Sequence, residues 1–261
     1  MVKGTRAERF ISAKNSDCSA GFRAAVDSAG FCSRLQVQQR TRCHAFHGTE
    51  NFLDATIMPL ELIPEKTCLL FFDMLNGHVK KEDPDTRMRY RTVVPNAVAL
   101  LNKARELNIM VAYAAANHRA DDLTTAKVLR DTDNKMRPVA PDTGLHLFHV
   151  GSWEVAVIDE LKPLAADYHI PKYRWSAFHQ TYLDLALRTR KIDTIIISGG
   201  STDVGVASTA FSGRDLDYNL IFAEDACSSH QMDNHHHFMK RVFPRMGRVR
   251  STAQVLSMLG A

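Results

Sequence analysis

Asp73 closes the apolar run Cys68-Leu69-Leu70-Phe71-Phe72, and Lys172 stands in Ile170-Pro171-Lys172-Tyr173. A third stretch, Ser198-Gly199-Gly200-Ser201-Thr202-Asp203-Val204-Gly205-Val206, follows Ile195-Ile196-Ile197. A carboxylate at the end of a buried strand must be paired, hydrogen-bonded or shifted in pKa. A strand that runs into a glycine-rich turn and then a helix points backbone N–H groups at a bound oxygen or anion. With a thiol at position 205 the three stretches would make a Cys/Asp/Lys nucleophilic site. The residue there is Gly205, so the nucleophile is gone. Taken singly, Asp73 also reads as a helix cap or loop-ordering aspartate, and Lys172 as a surface lysine. The pair gains weight only together with the turn.

The elements that must position these residues alternate along the chain. Thr67–Asp73 is apolar and short, a buried parallel strand. Val93–Leu107 carries a helical stripe, with Pro95 placed in its first turn, and Ile109–Ala116 is a second strand. Pro138–Gly151 reads as a loop and Val155–Leu164 as a helix, in whole or part. Tyr168–Lys172 is a strand, Tyr182–Arg190 a helix, Thr194–Ser198 a strand and Val204–Arg214 a helix. Tyr218–Ala223 and Arg248–Ser251 are strands, with Met232–Arg245 and Thr252–Leu259 as helices. This βαβ rhythm specifies a doubly wound α/β fold, a mainly parallel sheet with helices on both faces. Ligands bind such sheets beyond the carboxyl ends of the strands. Asp73, Lys172 and the 199–205 turn all fall near such ends.

A chain of 261 residues, 45% apolar and 24% charged, can bury one good-sized core without a second catalytic domain. The net charge of +4 owes most to the first fifty residues, with eight Lys/Arg against four Asp/Glu. Beyond them the charges nearly balance, which gives no nucleic-acid footprint. No apolar run reaches the roughly 18–20 residues that span a bilayer, and the start lacks a secretory h-region. Five cysteines without metal-like spacing fit free thiols in a reducing, cytoplasmic setting. Residues 1–57 show no sustained period and form an N-terminal extension to a domain over 58–261. A start codon upstream of a natural Met58, a mobile or oligomer arm, and a targeting segment are the readings open for it.

The motifs resemble those of the isochorismatase-like hydrolase superfamily, which includes isochorismatases, nicotinamidases and other small-molecule amide hydrolases. Phe71-Phe72-Asp73-Met74-Leu75-Asn76 is similar to its aspartate segment, and Lys172 with Ser176-Ala177-Phe178 to its lysine segment. Gly200 to Ala210, followed by Ile221-Phe222-Ala223-Glu224-Asp225-Ala226-Cys227, resembles its nucleophile turn and next strand. The likeness spans roughly residues 60–260. It implies a Rossmann-like three-layer fold, Asp73 as acid/base with Lys172 as its charged partner, and an oxyanion hole from the N–H groups of Ser201 and Gly205. It also implies a cis bond between Gly200 and Ser201, and a homo-oligomer, dimer or tetramer. The departure is Gly205, where the amide hydrolases of the family carry cysteine. Isochorismatases also commonly lack it; their vinyl-ether hydrolysis needs a proton donor and water but no nucleophile.

Around this centre, substrate contacts are expected from Asn76, His118, Trp175, Phe178 and Arg89. Trp175 and Phe178 serve equally well as core, while Arg87, Arg89 and Arg91, which could grip a substrate carboxylate, read more readily as surface charge. The position before His118 that would complete a nicotinamidase-like metal set is Ala116, so no metal and no cofactor is expected. Adjacent residues in His235-His236-His237 point about 100° apart, which sets that run down as a solvated helix face. Three functions follow in order: an isochorismatase-type hydrolase of a small molecule, a water-based amide or C–N hydrolase, and a metabolite-binding member without turnover.

Overall fold

Strand β1 (Thr67–Phe72) is buried along its whole length, as a run without polar alternation requires. Its alternate side chains enter two separate cores. Around it the computed structural model describes residues 61–121, 123–125, 129–132, 135–138 and 148–260. The extension expected over 1–57 and most of the loop expected over Pro138–Gly151 lie outside the described residues.

After β1 come a short helix α1 (Asn76–Val79), the long α2 (Pro84–Glu106) and β2 (Met110–Ala116). A hairpin of β3 (Leu129–Thr132) and β4 (Lys135–Pro138) precedes β5 (Tyr168–Lys172) and α3 (Leu183–Thr189). Then follow β6 (Thr194–Gly200), a π-helical turn (Thr202–Val206), α4 (Ala207–Asp215) and β7 (Asn219–Ser228). The chain closes with α5 (Met232–His237), a second π turn (Phe238–Val242), β8 (Gly247–Arg250) and α6 (Thr252–Met258). Six strands form one parallel sheet in the order β5-β2-β1-β6-β7-β8. On one face Leu69 and Phe71 pack with Val93, Ala97 and Leu100 of α2 and Val255 of α6. On the other Cys68, Leu70 and Phe72 pack with Leu183 and Leu187 of α3, Ala207 and Ala210 of α4, and Met239. This is the doubly wound architecture expected.

The winding reverses between β1 and β6. From β1 the chain moves outward through β2 to β5, then returns to lay β6 on the other side of β1. The crevice at such a reversal is where open α/β sheets bind ligands.

Four elements differ from the sequence expectation. Helix α2 starts at Pro84 rather than Val93, because Asp83 caps it by accepting a hydrogen bond from Thr86 N at 2.8 Å. Its first turns are mostly polar, so no apolar stripe marks them, and Pro95 falls inside the helix. In place of a helix over Val155–Leu164 there are two 3-10 turns, Trp153–Val155 and Asp159–Leu161; Pro163 disfavours a helical Lys162. The expected Met232–Arg245 helix gives way after His237 to the π turn and a 3-10 turn holding Pro244. Finally, β7 runs on to Ser228, five residues past Ala223. No described helix is long and apolar enough to cross a membrane.

Candidate active site

Asp73 sits one residue past β1 with φ of 48°, a left-handed conformation uncommon outside glycine. Its amide donates to Ala114 O at 2.9 Å and its Oδ1 accepts from Ala116 N at 2.9 Å, both at the end of neighbouring β2. β2 in turn pairs Ala116 with Lys172 of β5, and Lys172 Nζ donates to Asp73 Oδ2 at 2.7 Å. Three adjacent strand ends therefore assemble the carboxylate, its backbone donor and its ammonium partner. The two side chains are only 10% and 6% exposed, so each charge depends on the other. Lys172 Nζ also lies 4.5 Å from the centre of the Phe72 ring.

The opposite wall is the turn after β6. Gly199 has φ of 125°, and a β-carbon there would come within 2.1 Å of Phe72 O, so only glycine fits. The Gly200–Ser201 peptide is cis, as the resemblance implied. Asp203 ties the turn down by accepting from Ser201 Oγ at 2.6 Å, Asn234 Nδ2 at 2.7 Å and Ser229 Oγ. Burial pulls the Asp203 carboxyl upward, but these hydrogen bonds outweigh it and hold the group below its ordinary pKa.

At Gly205 a β-carbon would lie 2.2 Å from Phe72 Cε1 and 2.4 Å from Cζ. The aromatic ring fills the space a side chain would take. The remaining described thiols offer no substitute. Cys68 and Cys227 are buried, and Cys227 Sγ donates to Ile197 O at 3.5 Å. Burial pushes the Cys227 thiol up to about 12, leaving it protonated and unreactive at neutral pH.

Between the two walls lies a cavity of about 360 Å³, the size of a small-metabolite site. Of the sequence candidates, Asp73, Lys172, Gly200, Ser201, Gly205, Arg89 and Trp175 line it. Asn76, His118 and Phe178 do not. Asn76 Nδ2 donates to Trp153 O at 3.2 Å, and the Phe178 ring stacks on Tyr218 at 5.7 Å against the core. His118 bridges to His149, and among the described residues its buried Nδ1 has no hydrogen-bond partner. Arg87 and Arg91 stay exposed, since two residues along α2 is over half a turn from Arg89. Arg89 itself donates to Ser229 O at 3.1 Å and Thr86 Oγ1 at 2.8 Å, joining α2 to the loop after β7.

Sequence reasoning missed Phe72, His78, Lys81, Tyr90 and His230, all of which line the cavity. Burial, opposed by Asp73 and aided by Lys172 and Lys81, lowers the pKa of His78. Burial drives the Tyr90 phenol up to about 12, so it stays a neutral donor. A β-carbon on Gly200 would meet that hydroxyl at 3.1 Å, which puts Tyr90 against the turn after β6. Lys81, Arg89 and Lys172 face a single carboxylate, Asp73, so the cavity favours an anion.

One expectation about the histidine run is corrected. His235 and His236 do converge, with Glu224 of β7: one donor atom from each lies within 4.8 Å of the others. The separation of about 100° holds for the Cβ directions. The imidazoles reach beyond it, and their rings stand 5.4 Å apart at 71°.

Residues 67–254 match the isochorismatase domain family. YecD, an uncharacterized isochorismatase family protein of Escherichia coli O157:H7, is 45% identical over 94 residues, 36% of this chain but only 50% of that protein. YwoC, an uncharacterized isochorismatase family protein of Bacillus subtilis, is 32% identical across 74% of this chain and 93% of its own. The ureidoacrylate amidohydrolase RutB of Acinetobacter baylyi is 30% identical over 69% of this chain and 78% of its length. The solved structure of an isochorismatase family protein from Burkholderia thailandensis superimposes with a TM-score of 0.63 at 27% identity, covering 77% of this chain and 98% of that one.

Proposed function

Since the chain belongs to the isochorismatase family, we propose that it hydrolyses a small anionic metabolite by acid–base chemistry at Asp73, without a covalent enzyme intermediate. It stands with the family members that carry glycine where amide hydrolases have cysteine. The observation behind this is the Phe72 ring in the space of a residue-205 side chain. Water must then be the nucleophile.

Vinyl-ether hydrolysis is the reaction these residues suit best. The Asp73 carboxyl delivers a proton to the alkene carbon, water captures the oxocarbenium carbon, and Asp73 takes the water's proton back. The hemiketal then releases its alcohol. Lys172, Lys81 and Arg89 would receive a substrate carboxylate. That anion would engage Lys172 beside Asp73 and set the alkene against the carboxyl. Ser201 and Gly205 N–H groups stabilise oxygen charge as it develops.

A second reading rests on the 2.7 Å contact between Lys172 Nζ and Asp73 Oδ2. An ionised Asp73 is a base for water, and amide or C–N hydrolysis then follows. By family resemblance the active form is a dimer or tetramer.

Turnover of isochorismate and of a panel of small carboxylated amides separates these readings. The first predicts vinyl-ether cleavage that falls by about 10²- to 10⁴-fold in Asp73→Asn. Amide cleavage alone would favour the second. Tight metabolite binding with no turnover of any compound would overturn both.

A further inference from the structure

We propose that Glu224, His235 and His236 form a binding site for a divalent first-row transition ion of the zinc class, outside the catalytic cavity and joined to its oxyanion turn. Glu224 projects from β7 on the same face as Phe222, toward α5, which carries the two histidines. Donor atoms from all three lie within 4.8 Å of one another. An ion bound at about 2.0–2.2 Å would draw them to roughly 3.4 Å apart in tetrahedral geometry. His236 is exposed and can rotate to make that adjustment, while His235 is 4% exposed and already placed.

The placing of His235 is the second observation. Its Nδ1 lies 2.9 Å from Thr202 Oγ1, which fixes the ring and leaves Nε2 for a metal. Ligating histidines are regularly oriented in this way through their other nitrogen. Among the described residues the Glu224 carboxylate has no hydrogen-bond or ion-pair partner, so its charge is uncommitted. Two imidazoles and one carboxylate suit zinc and its neighbours rather than magnesium or calcium. Three protein ligands leave a fourth position, toward exposed His236, for water.

Thr202 opens the π turn Thr202–Val206, which follows Ser201 and contains Gly205. An ion holding His235 would therefore brace that turn from behind.

Titration of the full-length protein with Zn²⁺, followed calorimetrically and by melting temperature, tests the site. The expected result is one equivalent bound with a rise in melting temperature, unaffected by Mg²⁺. Glu224→Gln and His236→Ala should each weaken this equivalent at least tenfold, and His237→Ala should leave it intact. Co²⁺ substituted at the site should show d–d bands without thiolate charge transfer, which separates it from the cysteines at 18, 32 and 43. No bound equivalent, equal binding by Glu224→Gln, equal loss in His237→Ala, or a thiolate band would each overturn the proposal.

Discussion

Phe72 and Gly205 share one volume: the ring of the first occupies the space in which the second would place a β-carbon, 2.2 Å from Cε1. The last residue of β1 thus fixes what the turn after β6 can carry, across the line where the winding of the sheet reverses. Gly205→Ala should destabilise the fold by about 1–3 kcal/mol, the usual cost of overpacking. Phe72→Leu introduced beside it should recover part of the loss. Urea denaturation of the single and double variants measures the coupling; strictly additive effects would show that the two residues do not compete for space.

Gly205→Cys meets the same ring. That variant should fold less stably and gain no thiol-dependent amidase activity while Phe72 remains. A cysteine-dependent burst of product from Gly205→Cys alone would contradict the packing described.

Lys172→Met would leave the Asp73 carboxylate buried without its partner. The expected cost is about 3–5 kcal/mol. Asp73→Asn combined with Lys172→Met should lie closer to wild type than Lys172→Met alone, as denaturation midpoints would show. If the double variant is the less stable of the two, the pair is not the compensating unit its 2.7 Å contact indicates.

His78 provides a pH dependence. Its folded pKa is lowered, chiefly by burial, so the unfolded chain binds the proton more readily. Its contribution to stability is complete above the ordinary histidine pKa of 6.5 and is lost as the pH falls below that toward the lowered value. Melting temperatures between pH 7.5 and 5 should therefore fall less steeply for His78→Gln than for wild type. Identical slopes would remove His78 from the account.

Thiol alkylation provides a fifth check. Cys68 and Cys227 are buried with raised pKa values, so iodoacetamide should leave both unmodified in the folded protein, with activity unchanged. Rapid inactivation accompanied by modification of either residue would refute this.

Much of the site was legible because apolar runs end where chemistry begins. Asp73 and the 199–205 turn follow uninterrupted buried strands, and a parallel sheet brings the ends of such strands together. Lys172 was legible through its place at the end of β5. What escaped was set by helix phase and by packing across the sheet. Tyr90 enters the cavity because α2 begins at a cap, Asp83, ahead of any apolar stripe. Phe72 read as one more core residue, and only its three-dimensional relation to Gly205 shows why glycine stands there. Asn76 and Phe178 lie close in sequence to Asp73 and Lys172, yet the turns that follow direct them elsewhere. The convergence of Glu224 with His235 joins a strand to a helix, so no spacing within either element announced it.

In the proposed reaction water, and no protein atom, attacks the substrate. Intact-mass spectrometry of enzyme quenched during steady turnover tests this directly. The account predicts a single species at the mass of the unmodified chain, in wild type and in slow Asp73 variants alike. An added mass equal to a substrate fragment, on Asp73 or on any cysteine, would contradict it.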